Sequence, residues 1–391
     1  MRGNFMYQKY ITRLEKILHE REIQPPITAK NAFKKLNNQQ ILLYGAGAFG
    51  QENYDLFTKN GIKPMAFLDR NAKTGETKKG IPVYQPNDSV LPVDLRSECK
   101  VFISISLPKN KMNIIKNDLY NMGYVHCKEV QTMTARQVKF DGVVTENPDS
   151  NYIGANQEKI LRTIRLMADE ESCDTYISCI GGHLLRNYDH CVETDFPVQY
   201  FDAGVLYKKG LSHFVDCGAY TGDSLQTALQ YCDFIEEYAA FEPIPSNFMK
   251  LSENVTTMQL QQKVKRAYLF PCGVDEKNGN ARFSLTASSS AITNNTDGAL
   301  LPLVRLDDAL KRFPATLLKM DIEGAEPAAL RGAENLIIQQ RPDMAISVYH
   351  AANHYWDIPC FLDDLKLGYR FYLRSHTPAT LETILYAISN K

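Results

Sequence analysis

Phe214-Val215-Asp216-Cys217-Gly218-Ala219-Tyr220-Thr221-Gly222-Asp223, answered by Phe241-Glu242-Pro243, holds the key to this chain. An apolar run ends in an acid, a turn with two glycines follows, and an amphipathic segment starts at Ser224-Leu225. A second apolar run ends in Glu242, 20 residues after Gly222. Open α/β sheets build nucleoside pockets this way: glycines let the backbone approach the ligand, and the later acid accepts hydrogen bonds from a ribose diol. Asp216 before the turn and Asp223 after it repel a pyrophosphate. They suit a nucleoside that carries positive charge, and S-adenosylmethionine is the common one. Gly218, Ala219, Tyr220 and Gly222 form the expected cradle, with Asp216 at the amino-acid end of the cofactor and Glu242 on the ribose. Cys272-Gly273, after the third strand of the same unit, is a candidate adenine wall, and an ordinary strand end is the competing reading.

Further strands of this unit read at Tyr238–Glu242, Val264–Leu269, Leu317–Asp321 and Met344–Val348. The runs Tyr369–Leu373 and Thr383–Ile388 alternate and can pair antiparallel. Ser284 to Thr296 is rich in Ser, Thr and Asn and reads as a loop or short hairpin. Upstream, Ile41–Tyr44, Met65–Asp69 and Val101–Ser106 alternate with helical segments, which predicts a small parallel sheet. The expected division is N-terminal helices over 1–36, a small Rossmann-like domain over 37–140, a linker and helical connector over 141–198, and the main domain over 199–391.

The C-terminal half resembles the FkbM-type methyltransferases. The resemblance rests on the two stretches above, on Val304-Arg305-Leu306-Asp307-Asp308, on Leu318-Lys319-Met320-Asp321-Ile322-Glu323-Gly324-Ala325-Glu326 and on Ser347-Val348-Tyr349-His350, in that order. It implies an α/β fold with the class I methyltransferase sheet, five parallel strands closed by an antiparallel pair. It also implies S-adenosylmethionine-dependent methyl transfer to a hydroxyl of a sugar, small metabolite or glycan. The first half is similar to small Rossmann-like domains that precede sugar-modifying enzymes.

Asp321 stands at the carboxyl end of a strand, where open α/β sheets bind ligands, and period two sets Lys319, Asp321 and Glu323 on one face. Asp321 and Glu323 are candidate catalytic acids, and an ion pair with a buried Lys319 is the competing reading. Pro327 suits the first turn of a helix, with Glu326 beside it at the positive end of the dipole. His350, just past a strand, is a candidate base with an ordinary pKa of roughly 6.5. His350 and His354 stand four apart, a zinc spacing only on a helix, and Asn353 reads as a helix start instead. No metal is expected. Tyr355 and Trp356 read as packing.

Gly45-Ala46-Gly47-Ala48-Phe49-Gly50 is a G-x-G-x-x-G between strand and helix, and Asp69 follows Gly50 by 19 residues. Gly45, Gly47, Gly50 and Asp69 are therefore a candidate second nucleotide site. This leaves an NAD(P)-dependent or nucleotide-sugar enzyme, or a non-catalytic binding module, as alternatives. The first has no Tyr-x-x-x-Lys near the glycine turn to support it, and the second would not need both Asp216 and Glu242.

The net charge of -1 offers no field for nucleic acid. No apolar run reaches the roughly 20 residues that span a bilayer, and the first residues carry no signal-peptide core. Nine scattered cysteines without a Cys-x-x-Cys pair read as reduced thiols in the cytoplasm. The stripe Tyr7, Ile11, Leu14 and Leu18 marks an early helix expected to pack on its own domain. Nothing in the sequence sets an oligomeric state.

Overall fold

A computed structural model describes residues 2–23, 33–105, 107, 109–130, 138–140, 143–145, 150–185, 199–202, 204–283, 298–377, 380 and 382–390. The predicted Ser284–Thr296 loop lies outside these residues.

Helix α1 (Arg2–Ile23) buries Tyr10, Ile11, Leu14 and Leu18. A small sheet follows, built from β1 (Ile41–Tyr44), α2 (Ala48–Lys59), β2 (Ala66–Leu68), β3 (Thr77–Lys78), β4 (Ile81–Tyr84), α3 (Val93–Glu98), β5 (Lys100–Ile103), α4 (Lys109–Asn121) and β6 (His126–Glu129). Its order is β3-β4-β2-β1-β5-β6, parallel except for β3. Strands buried on both faces need helices on both sides, and the apolar runs of β1 and β5 supply that pattern.

Strands β7 (Val138–Phe140) and β8 (Val143–Thr145) pair antiparallel. The expected linker therefore contains a strand. Asp141-Gly142 between two β-rich runs is a hairpin signal that polarity alone concealed. Helices α5 (Ser150–Leu166) and α6 (Glu170–Leu185) form the expected connector. The stripe of α1 packs on these two helices, in one apolar cluster with the C-terminal sheet. The Tyr7 hydroxyl donates to the Met167 carbonyl at 2.8 Å. The helix thus does not pack on the sheet that follows it, because its apolar face matches the uncovered faces of α5 and α6.

The C-terminal unit runs β9 (His213–Cys217), α7 (Asp223–Ala228), β10 (Ile235–Phe241), α8 (Pro245–Leu260), β11 (Val264–Phe270), β12 (Gly273–Val274), β13 (Gly279–Phe283), β14 (Ala299–Val304), α9 (Leu306–Ala309), β15 (Leu317–Met320), α10 (Glu326–Gly332), α11 (Glu334–Gln340), β16 (Asp343–Ser347), α12 (His354–Asp364), β17 (Arg370–Ser375) and β18 (Thr383–Ile388). Its seven-stranded sheet has the order β11-β10-β9-β15-β16-β18-β17. Five strands are parallel, and β18 runs antiparallel between β16 and β17. Sequence order reverses at β9, between β10 and β15, which is where such sheets open a crevice at their carboxyl ends. A separate three-stranded sheet, β12-β14-β13, stands beside it. It was not legible in the sequence, because β12 has only two residues and its partner β14 lies about 30 residues on.

The Arg305-Leu306-Asp307 segment serves the fold. Asp307 accepts the backbone N–H groups of Asn335 at 3.2 Å and Leu336 at 2.9 Å, satisfying orphan donors at the start of α11. Among the described residues no helix is long and apolar enough to cross a membrane, and eight described cysteines are free thiols.

Candidate active site

A cleft of about 970 Å³ lies over the carboxyl ends of β9, β10 and β15. Its size is that of a small-molecule site. The turn after β9 contributes Gly218, Tyr220 and Asp223, the tip of β10 contributes Phe241 and Glu242, and the turn after β15 contributes Asp321 and Glu323. Gly273, Tyr200, Tyr349 and Glu382 complete the wall.

Gly218 has φ +78°, and a Cβ there would lie 1.9 Å from the Asp321 carbonyl oxygen. The glycine thus lets two strand-end turns touch, and the cleft opens above that contact. Gly222, at φ +89°, caps α7. Tyr220 and Glu323 take positive φ without being glycine, +48° and +56°, and both face the cleft. Such strain clusters at functional sites.

Glu242 is almost fully buried at the cleft floor. Its carboxylate accepts the backbone N–H groups of Tyr220 at 3.0 Å and Ile244 at 2.9 Å, which ties the glycine turn to the second strand. Burial raises its pKa against those hydrogen bonds.

Asp216 is fully buried beneath the turn and does not line the cleft, contrary to its expected place at the ligand. It pairs with Lys319 Nζ at 3.1 Å and accepts the Tyr238 hydroxyl at 2.9 Å. Lys319 also donates to the Gly218 carbonyl at 2.7 Å. Burial opposes the charge on Lys319, but Asp216, Asp321 and Asp223 outweigh it and raise its pKa. The lysine lies on the strand face that period two predicted, yet its partner is Asp216 rather than Asp321 or Glu323. Ala219 and Cys272 are likewise buried behind the wall, while Gly273 reaches it.

Strand β15 stops at Met320, so Asp321 and Glu323 sit on the following turn. Asp321 accepts the Tyr200 hydroxyl at 2.5 Å. Glu326, fully buried at the start of α10, accepts the Ile322 N–H at 2.9 Å and pairs with His350 Nδ1 at 2.8 Å and His354 Nδ1 at 3.5 Å. Burial opposes its ionisation, but His350 and His354 lower its pKa to about 2. His350 Nε2 faces Asp321 at 3.4 Å and Glu323 at 3.6 Å. Burial works against the imidazolium, yet Glu326, Asp321 and Glu323 raise its pKa to about 9. His350 also stays out of the cleft wall. A group that holds its proton at pH 7 is poorly matched to the base expected there.

Sequence reasoning missed Glu382, next to β18. It lines the cleft, has φ +50° and is hydrogen-bonded by the Gln199 side-chain amide. Burial, aided by the Asp321 charge, raises its carboxyl pKa to about 7. Only a perturbed carboxyl in a cleft marks it, and no local motif does.

With this geometry in hand, comparison with known proteins is informative. Residues 216–371 match the family model of the methyltransferase FkbM domain. The C-terminal unit is thus similar to the FkbM methyltransferase domain. Residues 40–117 match the PglD N-terminal domain. The crystal structure of methyltransferase FkbM from Methylobacillus flagellatus KT superposes with a TM-score of 0.71 over 98% of this chain and 100% of that one, at 21% sequence identity. At that identity the likeness speaks to a shared fold. No curated protein matches the chain.

Ahead of the C-terminal unit, the turn Gly45–Gly50 follows β1 and opens α2. A Cβ on Gly50 would lie 1.9 Å from the Gly45 carbonyl oxygen, so helix packing alone requires that glycine. Asp69 accepts the backbone N–H of Ala46 at 3.2 Å, tying the glycine turn to the end of β2, and that of Asn71 at 2.9 Å in its own turn.

Proposed function

We propose that the chain is an S-adenosylmethionine-dependent methyltransferase that modifies a hydroxyl of a sugar or another small hydroxylated metabolite or glycan. The charge of the cleft wall carries this reading. Asp223, Glu242, Asp321, Glu323 and Glu382 stand against Lys250 and Lys319, and Lys319 is already paired with Asp216. That balance attracts a sulfonium nucleoside and repels a pyrophosphate. The volume and the switch-point position fit the same ligand.

Glu242 would hold the ribose, and the turn from Gly218 to Asp223 would hold the amino-acid end. When bound, the cofactor supplies an electrophilic methyl on sulfur and leaves as a neutral thioether. The chain has to position the acceptor oxygen and remove its proton. Glu382 is the carboxyl suited to receive that proton at neutral pH. Asp321, anchored by Tyr200 beside Glu382, orients the acceptor.

Titration calorimetry on the full chain tests the donor. One S-adenosylmethionine per chain is expected, with Glu242→Ala weakening it at least tenfold, about 1.4 kcal/mol. Tight NAD or NADP binding with no response to S-adenosylmethionine would sink the reading and favour an enzyme led by the Gly45–Gly50 turn.

A further inference from the structure

The geometry points to a divalent-cation site at the edge of the cleft, behind Asp321, built by His350 Nε2 and Asp321 Oδ1 with Glu323 turning in as the third ligand. The side chain of His350 is only 7% exposed, and its Nε2 has no hydrogen-bond partner. That atom faces Asp321 Oδ1 at 3.4 Å and Glu323 Oε2 at 3.6 Å. These separations are too long for hydrogen bonds. They match the spacing of neighbouring ligands around one ion, since donors about 2.1 Å from a tetrahedral centre stand roughly 3.4 Å apart.

The surroundings are those of a metal-binding histidine. Glu326 takes the opposite ring nitrogen, Nδ1, at 2.8 Å, and the Ile322 N–H fixes Glu326 in turn. A carboxylate on the far nitrogen sets the tautomer and the ring direction of a ligating imidazole. Tyr200 plays the same part for Asp321: it donates to Oδ2, while Oδ1 lies 3.4 Å from both His350 Nε2 and the Tyr349 hydroxyl. His354 Nδ1 lies 3.5 Å from the other Glu326 oxygen and is assigned to Glu326 rather than to the ion. One imidazole with two carboxylates suits zinc or manganese better than magnesium, which prefers oxygen donors and octahedral geometry.

The site shares Asp321 and Glu323 with the charge balance behind the methyl-donor assignment, but its test does not rest on that assignment. If that assignment also holds, an ion here faces the acceptor and acidifies its hydroxyl. The test uses the full chain, stripped with a chelator and titrated with Mn2+ and Zn2+ by calorimetry. One ion per chain is expected, weakened at least 100-fold by His350→Ala and 10–100-fold by Glu326→Gln, and unchanged by His354→Gln. Co2+ loading of the unmutated chain gives a second readout that needs no variant: paramagnetically shifted ring protons from one histidine. Binding that survives His350→Ala, or a Co2+-loaded chain without shifted histidine protons, overturns the site. S-adenosylmethionine binding measured on the stripped chain separates failure of the metal site from failure of the donor assignment.

Discussion

At the scale of single residues, the cleft separates groups that hold the structure from groups that face a ligand. Lys319 and Asp216 belong to the first class, as a fully buried ion pair under the glycine turn. Lys319→Met leaves the Asp216 carboxylate buried without its counter-ion, which costs about 3–5 kcal/mol. The double variant Lys319→Met/Asp216→Leu removes both charges and is expected to recover most of that loss in urea melts. Additive losses would show that the two charges do not depend on each other. Glu382 belongs to the second class. Glu382→Gln keeps the shape and removes the proton acceptor, so kcat should fall by about 100-fold or more while S-adenosylmethionine affinity falls by far less than in Glu242→Ala. Full turnover in this variant would return the role of base to Asp321 or Glu323. The sequence marked Glu242 and Asp321 because each ends an apolar run. It did not mark Glu382 or Tyr200, whose positions depend on contacts with residues more than 100 positions away.

At the scale of elements, strands were the most legible, since period two and apolar runs are local properties. The five parallel strands and the closing pair fall where the pattern puts them. What local patterns cannot carry is the partner of each face. Helix α1 shows this: its stripe was plain, but the surface that it covers lies beyond residue 150. Buried Tyr10 and Leu14 pack in the cluster that holds Ile164, Cys173 and Ile177. Deleting residues 2–23 bares that surface. The truncated chain is expected to melt earlier and to bind a hydrophobic dye near neutral pH, whereas an unchanged cooperative melt would mean that α1 contributes nothing to the core.

For the molecule as a whole, one buried histidine gives a pH signature. His376 is held mainly by burial at a pKa of about 4, with its Nε2 3.1 Å from the Tyr386 hydroxyl. In the unfolded chain it takes a proton near pH 6.5. Between those values the unfolded state binds the extra proton, so stability from this group is full above pH 6.5 and drains away as pH falls toward 4. The shift corresponds to a contribution on the order of 3 kcal/mol. His376→Asn should flatten stability against pH in that window, and parallel curves for the two proteins would refute the assignment.

The packing of α1 also has a consequence for how the protein is made. Ribosomal synthesis delivers this helix before the strands that complete its cluster, β17 among them. The small sheet between them can close on itself as it emerges, since its two apolar clusters contain only residues 33–130. The helix therefore waits, solvent-facing or chaperone-held, while more than 300 residues are added, and its cluster closes only when both distant segments meet.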